Sequence, residues 1–133
     1  HDRVLMAGLF QHPFYPYSGT DTPAPNMVNV PLRQGSDGRA ARRAVEDAWM
    51  PALEAFAPDM ILISAGFDAH RDDILGGLAL DESDYAWITR RLMEVADRHA
   101  HGRIVSMLEG GYNLAALGNS VVAHVGALAG DDA

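Results

Sequence analysis

Asp68 follows the apolar run MILISAG at 60–66, and His70, Arg71, Asp72 and Asp73 crowd in behind it. Carboxylates and an imidazole at that spacing form a dense set of hard and borderline ligands just past a strand, where an active edge is expected. One carboxylate is not a metal site, because a catalytic zinc takes three protein ligands and keeps a fourth position open. The competing reading is that Asp68 caps its loop while its neighbours are solvated. The second chemical element is EGGYN at 109–113. Paired glycines let the backbone approach a ligand closely or take positive φ, and Tyr112 held there can aim its hydroxyl at a polarised oxygen. Its alternative is the start of a helix with a packed tyrosine. No GxGxxG or GKS pattern is present to cradle a phosphate.

The elements that must position these residues are legible from periodicity. RVLMAGL at 3–9 reads as a buried strand that runs into a shaped loop, QHPFYPYSGTDTPAP. MVNVPL at 27–32 alternates Val28, Val30 and Leu32, and Pro31, which cannot donate to a ladder, makes the strand short or places it at an edge. From about 39 to 57, Ala41, Val45, Trp49, Leu53 and Phe56 recur at helical steps, with Pro51 predicting a kink or a break into two pieces. MILISAG is the clearest buried strand, of the kind that lies mid-sheet with helices on both faces. Residues 84–98 carry Tyr85, Ile88, Leu92 and Val95 on one helical face, with Asp81 or Ser83 as N-cap. RIVSMLE at 103–109 reads as another buried strand. Asn113 then caps a last helix over 114–128, and GDDA at the end is expected to fray.

Strands alternating with helices indicate a parallel α/β sheet. Ligands in such sheets bind beyond the carboxyl ends of the strands, and QHPFYPYSG, GFDAHRDD and EGGYN all follow strands. The three loops are expected at one end of the molecule.

A length of 133 residues with 48% apolar content indicates one globular domain, spanning 1–133. Cysteine is absent, which excludes disulfides, thiolate metal sites and cysteine nucleophiles and leaves His, Asp and Glu as possible metal ligands. All ten basic residues are Arg and stand against 18 acidic ones, for a net charge of −8. That balance argues against nucleic acid as a partner, since a phosphate backbone is repelled at long range. No apolar stretch approaches the roughly 20 residues that a bilayer needs, and no charged-then-apolar leader opens the sequence, so the expectation is a soluble, cytoplasmic protein without a membrane partner. The sequence begins with His1 and not with Met, which points to a fragment, a processed form or a cloning scar.

Taken together, ISAGFDAHRDDILGGL, SMLEGGYN and QHPFYPYSG resemble the carboxyl-terminal half of the zinc-dependent histone deacetylase family, in its class II-like branch related to bacterial acetylpolyamine amidohydrolases. NVPL before the long helix and LEAFAPD at its end fit the same pattern, so the resemblance spans nearly the whole chain. It implies an arginase/deacetylase-like fold that is incomplete here, being the carboxyl-terminal portion of a catalytic domain. The implied reaction is hydrolysis of an acetyl or other acyl amide on a lysine or polyamine by zinc-activated water. Asp68 corresponds to one zinc ligand of that family, and Tyr112 to the tyrosine that stabilises the oxyanion, a task suited to a phenol because it donates while staying neutral near pH 7. Phe14 and Tyr15 match an aromatic pair at the acyl-lysine tunnel, and Leu75 another wall position. Its apolar character favours acyl-lysine over a cationic polyamine. Gly110 and Gly111 leave room for the tunnel, and the backbone near Gly8 and Leu9 resembles a structural monovalent-cation site.

The departures carry equal weight. The family's other two zinc ligands and its tandem histidines belong to the amino-terminal half, and this sequence has no adjacent histidine pair. His70 forms a DxH with Asp68 in letters only and reads as a loop residue. His12 reads as a polar loop contact near the tunnel, and His99, His101 and His124 as surface residues. The chain alone is therefore expected to be inactive. Alternatives are a non-catalytic fragment that self-associates as a homo-oligomer through an exposed sheet edge, and, less favoured, an arginase-like binuclear manganese hydrolase, which would need an acidic residue where His70 stands.

Overall fold

The computed structural model describes residues 2–20 and 24–131. His1, residues 21–23 of the loop after the first strand and the last two residues of GDDA lie outside them. The first strand, β1 (Met6–Gln11), pairs in parallel with β2 (Met27–Leu32), in register from Met6 against Met27 to Gln11 against Leu32. Pro31 stands opposite Phe10, and β2 has no partner on its other side among the described residues, which suits a strand that lacks one donor.

The helical face that starts at residue 38 does not stop at Pro51. It runs as α1 (Gly38–Ala44), a π-helical stretch (Val45–Trp49) and α2 (Met50–Phe56). Proline removes a donor and crowds the carbonyl one turn back, and a widened turn directly ahead of Pro51 absorbs both effects. In place of the expected kink or break into two pieces there is a local rewinding. Next comes β3 (Ile61–Ala65), parallel to β4 (Ile104–Leu108), with α3 (Glu82–His99) between them in sequence and α4 (Leu114–Leu128) after them. Asp81 is the N-cap of α3: it accepts the Asp84 N–H while Asp84 accepts the Asp81 N–H, a reciprocal box. Asn113 caps α4 as its sequence predicts.

Among the described residues the strands are parallel and, from β2 onward, alternate with helices, but they form two pairs, β1–β2 and β3–β4, with no ladder between the pairs. Helix residues Val45, Leu53, Leu92 and Val95 close one core over Ile61, Ile63 and Ile104, while Ala41, Ala44, Phe67 and Tyr85 close a second over Leu32 and Ala65. Arg98 on α3 pairs with Glu54 on α2, and His99 joins them; their hydrogen bonds hold the Glu54 carboxyl down at about 2.

Two expectations for the strands are corrected. MILISAG does not have helices on both faces, and RIVSMLE is not buried throughout. Leu62 is 65% exposed, and Met60, Met6, Val105, Met107 and Leu108 are exposed as well. Side chains alternate across a strand, so the odd positions of β3 meet the helices while Leu62 points away from them. Among the described residues nothing covers that opposite face.

Candidate functional site

The β3–β4 ladder continues past both strands. Glu109 N–H donates to Ala65 O at 2.9 Å and Phe67 N–H donates to Gly110 O at 2.7 Å. This extension brings Asp68 against the glycine loop. A Cβ on Gly110 would stand 2.8 Å from Asp68 Oδ2, so only glycine admits the approach. Gly111 has φ +143°, and a Cβ there would also press on Leu117.

The Asp68 carboxyl is half-buried, and its own N–H is its one hydrogen-bond donor among the described residues. Burial pushes its pKa up, that N–H opposes the rise and the nearby Asp73 charge adds to it. A carboxylate seated in a glycine cradle without a cation has the electrostatic character of a ligand position. Behind it, the Tyr85 hydroxyl is buried beside Ala69 without a well-formed partner. Burial first, then the Asp68 charge, raise the pKa of that phenol.

Asp73 organises the rest. Its Oδ1 accepts the N–H groups of Leu75 (2.8 Å) and Gly76 (3.0 Å), and its Oδ2 those of Tyr112 (2.8 Å) and Asn113 (3.4 Å). Burial works to raise its pKa, but these four donors outweigh burial and leave the carboxyl below its ordinary range. One carboxylate therefore fastens Leu75 and Tyr112 to the same point. The Tyr112 side chain is half exposed and Leu75 is exposed.

The structure thus brings together Asp68, Leu75, Gly110, Gly111 and Tyr112. Phe14 and Tyr15 are exposed in the loop after β1, where Phe14 O accepts the Tyr17 N–H. At the end of β1, just ahead of that loop, the Gln11 amide lies so close to Gly77 that a Cβ there would fall 2.5 Å from Oε1. No ring contact or hydrogen bond joins Phe14 or Tyr15 to Asp68 or Tyr112 among the described residues. Gly8 O accepts the Trp49 indole N–H at 3.4 Å.

The histidines fall into three groups. His70 is 2% exposed; its Nδ1 accepts the Asp72 N–H at 3.0 Å and its Nε2 lies 3.1 Å from Glu82, so one ring nitrogen is committed to the loop and the other to the first residue of α3. His12 Nε2 is 3.4 Å from Thr20 Oγ1, a loop contact as expected. His99 pairs with Glu54, and His101 is exposed. A second DxH in letters, Asp97 to His99, lies in the last turn of α3. His124 corrects the sequence reading: it is 7% exposed, inside the molecule, with Nδ1 2.8 Å from Thr89 Oγ1 and Nε2 2.8 Å from Ser106 Oγ. Thr89 spends its proton on Tyr85 O at 2.6 Å, so His124 Nδ1 donates to Thr89 and Nε2 accepts from Ser106. The residue lies on the α4 face that packs on α3, which a pattern of apolar residues alone does not reveal.

Among the described residues no three His, Asp or Glu side chains group to hold a metal ion. Asp68 fits one ligand position, and a complete zinc set does not fit the residues present. In the sequence Asp73 stands out only as one of the acidic residues behind Asp68, and Tyr85 only as a residue of the apolar helical face. For Asp73 the signal was available: an Asp two and three residues ahead of a turn backbone it caps.

Residues 1–128 match the family model of the histone deacetylase domain. The chain is 47% identical over 107 residues to type-2 histone deacetylase 1 of Dictyostelium discoideum, covering 80% of this chain and 7% of that protein. It is 36% identical over 138 residues to a probable deacetylase of Archaeoglobus fulgidus, covering 98% of this chain and 38% of that protein. Its fold superposes on the crystal structure of the HDA15 HD domain with a TM-score of 0.87 at 32% identity, over 97% of this chain and 38% of that one. The chain spans well under half the length of these relatives.

Proposed function

Because the chain belongs to the histone deacetylase family, we propose that it is the carboxyl-terminal part of a metal-dependent amidohydrolase that removes acetyl or other acyl groups from lysine or polyamine amides. The observation that carries this reading is the seating of the unpaired Asp68 carboxylate against Gly110, two residues from Tyr112. In hydrolysis, water adds to the amide carbonyl and the C–N bond breaks to give a carboxylic acid and an amine. Negative charge develops on the carbonyl oxygen as water adds. The Tyr112 hydroxyl is the donor placed to meet that charge, and Asp73 fixes the backbone that carries it. Gly110 and Gly111 keep the approach open, and Leu75 supplies an apolar wall, with Phe14 and Tyr15 as further walls of the same channel. Asp68 would hold the zinc of the complete protein jointly with ligands from outside this chain.

Neither a base to deprotonate water nor the remaining metal ligands is found among the described residues, so the chain alone is incomplete. The test is Tyr112→Phe in this chain combined with the portion it lacks. We expect kcat to fall by about 10²–10³ with KM little changed, as for loss of one oxyanion donor. An unchanged kcat would remove Tyr112 from the reaction. The exposed apolar face and unpaired strand edges favour a second reading, a non-catalytic fragment that self-associates. Concentration-dependent dimers without hydrolysis in any combination would favour it.

A further inference from the structure

The ring of His70 stands inside the loop that carries Asp68 at one end and Asp73 at the other. The backbone on either side of it is pinned just ahead of α3: Leu80 N–H donates to Ala69 O at 3.0 Å and Arg71 N–H donates to Leu80 O at 2.8 Å. That pairing ends at Arg71, and His70 itself holds the next two residues. Its Nδ1 accepts the Asp72 N–H at 3.0 Å, and its carbonyl oxygen accepts the Asp73 N–H at 3.0 Å. A side chain that accepts from the N–H two residues on does what asparagine or aspartate does in a turn. Because Nδ1 is an acceptor, the ring proton lies on Nε2 and is donated to Glu82 Oε1 at 3.1 Å, on the first residue of α3. The Asp72 carboxylate stays 3.9 Å from Nδ1, beyond hydrogen-bond reach. The ring is buried, so bulk water does not replace a lost partner.

Both residues that His70 secures lead to Tyr112. Asp72 O accepts from Asn113 Nδ2 at 2.8 Å, and Asp73 Oδ2 accepts the Tyr112 N–H at 2.8 Å. The glycine loop has little stiffness of its own, since Gly111 at φ +143° is free of the limits that a side chain sets. We propose that His70 is a positioning residue: it fixes the Asp72 peptide and, through Asp72 and Asp73, the place of the Tyr112 hydroxyl, without touching a substrate itself. This inference rests on the reading of Tyr112 as the oxyanion donor. A donor of that kind acts only within hydrogen-bond distance of the developing charge, and a displacement of about 1 Å costs on the order of 10²-fold in rate. The contacts run without a gap from the start of α3 to the glycine loop, through Glu82, His70, Asp72 and Asn113.

The test separates the two ring nitrogens. Asparagine puts its Oδ1 where Nδ1 stands and keeps the acceptor for Asp72, whereas glutamine reaches Glu82 with its amide and leaves the Asp72 N–H without a partner. In the chain alone, His70→Gln should speed hydrogen exchange at the amides of Asp72, Tyr112 and Asn113 at least tenfold relative to amides inside α3, and His70→Asn should keep them within about threefold of the parent. In the chain combined with the portion it lacks, kcat for an acetyl-lysine amide should fall at least tenfold in His70→Gln at unchanged KM, and His70→Asn should restore it to within about threefold. Nitrogen NMR of the parent chain at pH 7.5 needs no variant to fold, and it should find the His70 proton on Nε2. A proton on Nδ1, equal exchange and equal kcat in the two variants, or a loss confined to KM would overturn the proposal. Failure of the deacetylase reading is separate: amides that respond as expected, with no hydrolysis in any combination, refute the reaction and leave the hold of His70 on the Tyr112 backbone in place.

Discussion

Asp73 holds four backbone N–H groups from two loops that are distant in sequence, and its depressed pKa states how strongly the charged form is preferred in the folded chain. Asn in its place keeps the shape but loses the charge and presents two donors to groups that need an acceptor. We expect Asp73→Asn to destabilise the chain by about 1–3 kcal/mol, read as a lower urea midpoint. The stability from Asp73 is present above its unfolded pKa and is lost as pH falls through the lower folded value. Asp68 has the opposite sign: its raised pKa favours the protonated folded form, so its contribution is greatest at low pH and is lost as pH rises through the folded value. Asp68→Asn should therefore raise the urea midpoint of the isolated chain at pH 7, and a lowered midpoint would show that the carboxylate has a partner in solution. His124 is buried neutral, with burial lowering its pKa. Its contribution is present above the unfolded value of about 6.5 and is lost as pH falls through the folded one. The drop in urea midpoint between pH 7.5 and 5 should shrink in His124→Gln, which keeps a donor and an acceptor. An equal drop in both proteins would place the acid sensitivity elsewhere.

Helix α4 begins where the glycine loop ends, and Asn113 joins the two: its Oδ1 caps the Ala116 N–H at 3.0 Å and its Nδ2 donates to Asp72 O at 2.8 Å. Asn113→Ala should cost about 1 kcal/mol by thermal or urea unfolding. Elements of this kind were readable in the sequence because caps and apolar periods are local signals. Asn113, Asp81 and the strand at 61–65 stand where those signals put them. At Pro51 the sequence predicts a kink or a break, and the structure has a rewound turn, since proline chemistry predicts that the ladder fails but not how the helix absorbs it. Burial was harder to read. MILISAG and IVSML are apolar but for one serine each, as strands covered on both faces are, yet the cover for one face is not among the described residues, and so Leu62 and Met107 are exposed. The site was partly legible: Asp68 and Tyr112 carry recognisable motifs, while the part played by Asp73 depends on a contact across 39 residues that no spacing encodes.

At the scale of the molecule, the described residues form two separate parallel strand pairs, with the candidate site beyond the ends of β3 and β4. The glycine loop, Asp68 and Leu75 are assembled without help from outside this chain, whereas a groove between β1 and β3 and the bare sheet face are not closed by the described residues. The geometry of the glycine loop is thus complete within the described residues, and these hold no set of three metal-ligating side chains. The most direct measurement is zinc content together with hydrolysis of an acetyl-lysine amide, for the purified chain and for the chain combined with its missing portion. The chain alone should hold no stoichiometric zinc and show no turnover, and the combination should gain both, with turnover abolished by Asp68→Ala. Stoichiometric zinc and Asp68-dependent turnover in the chain alone, or a well-formed combination that binds zinc without hydrolysing the amide, would contradict this account.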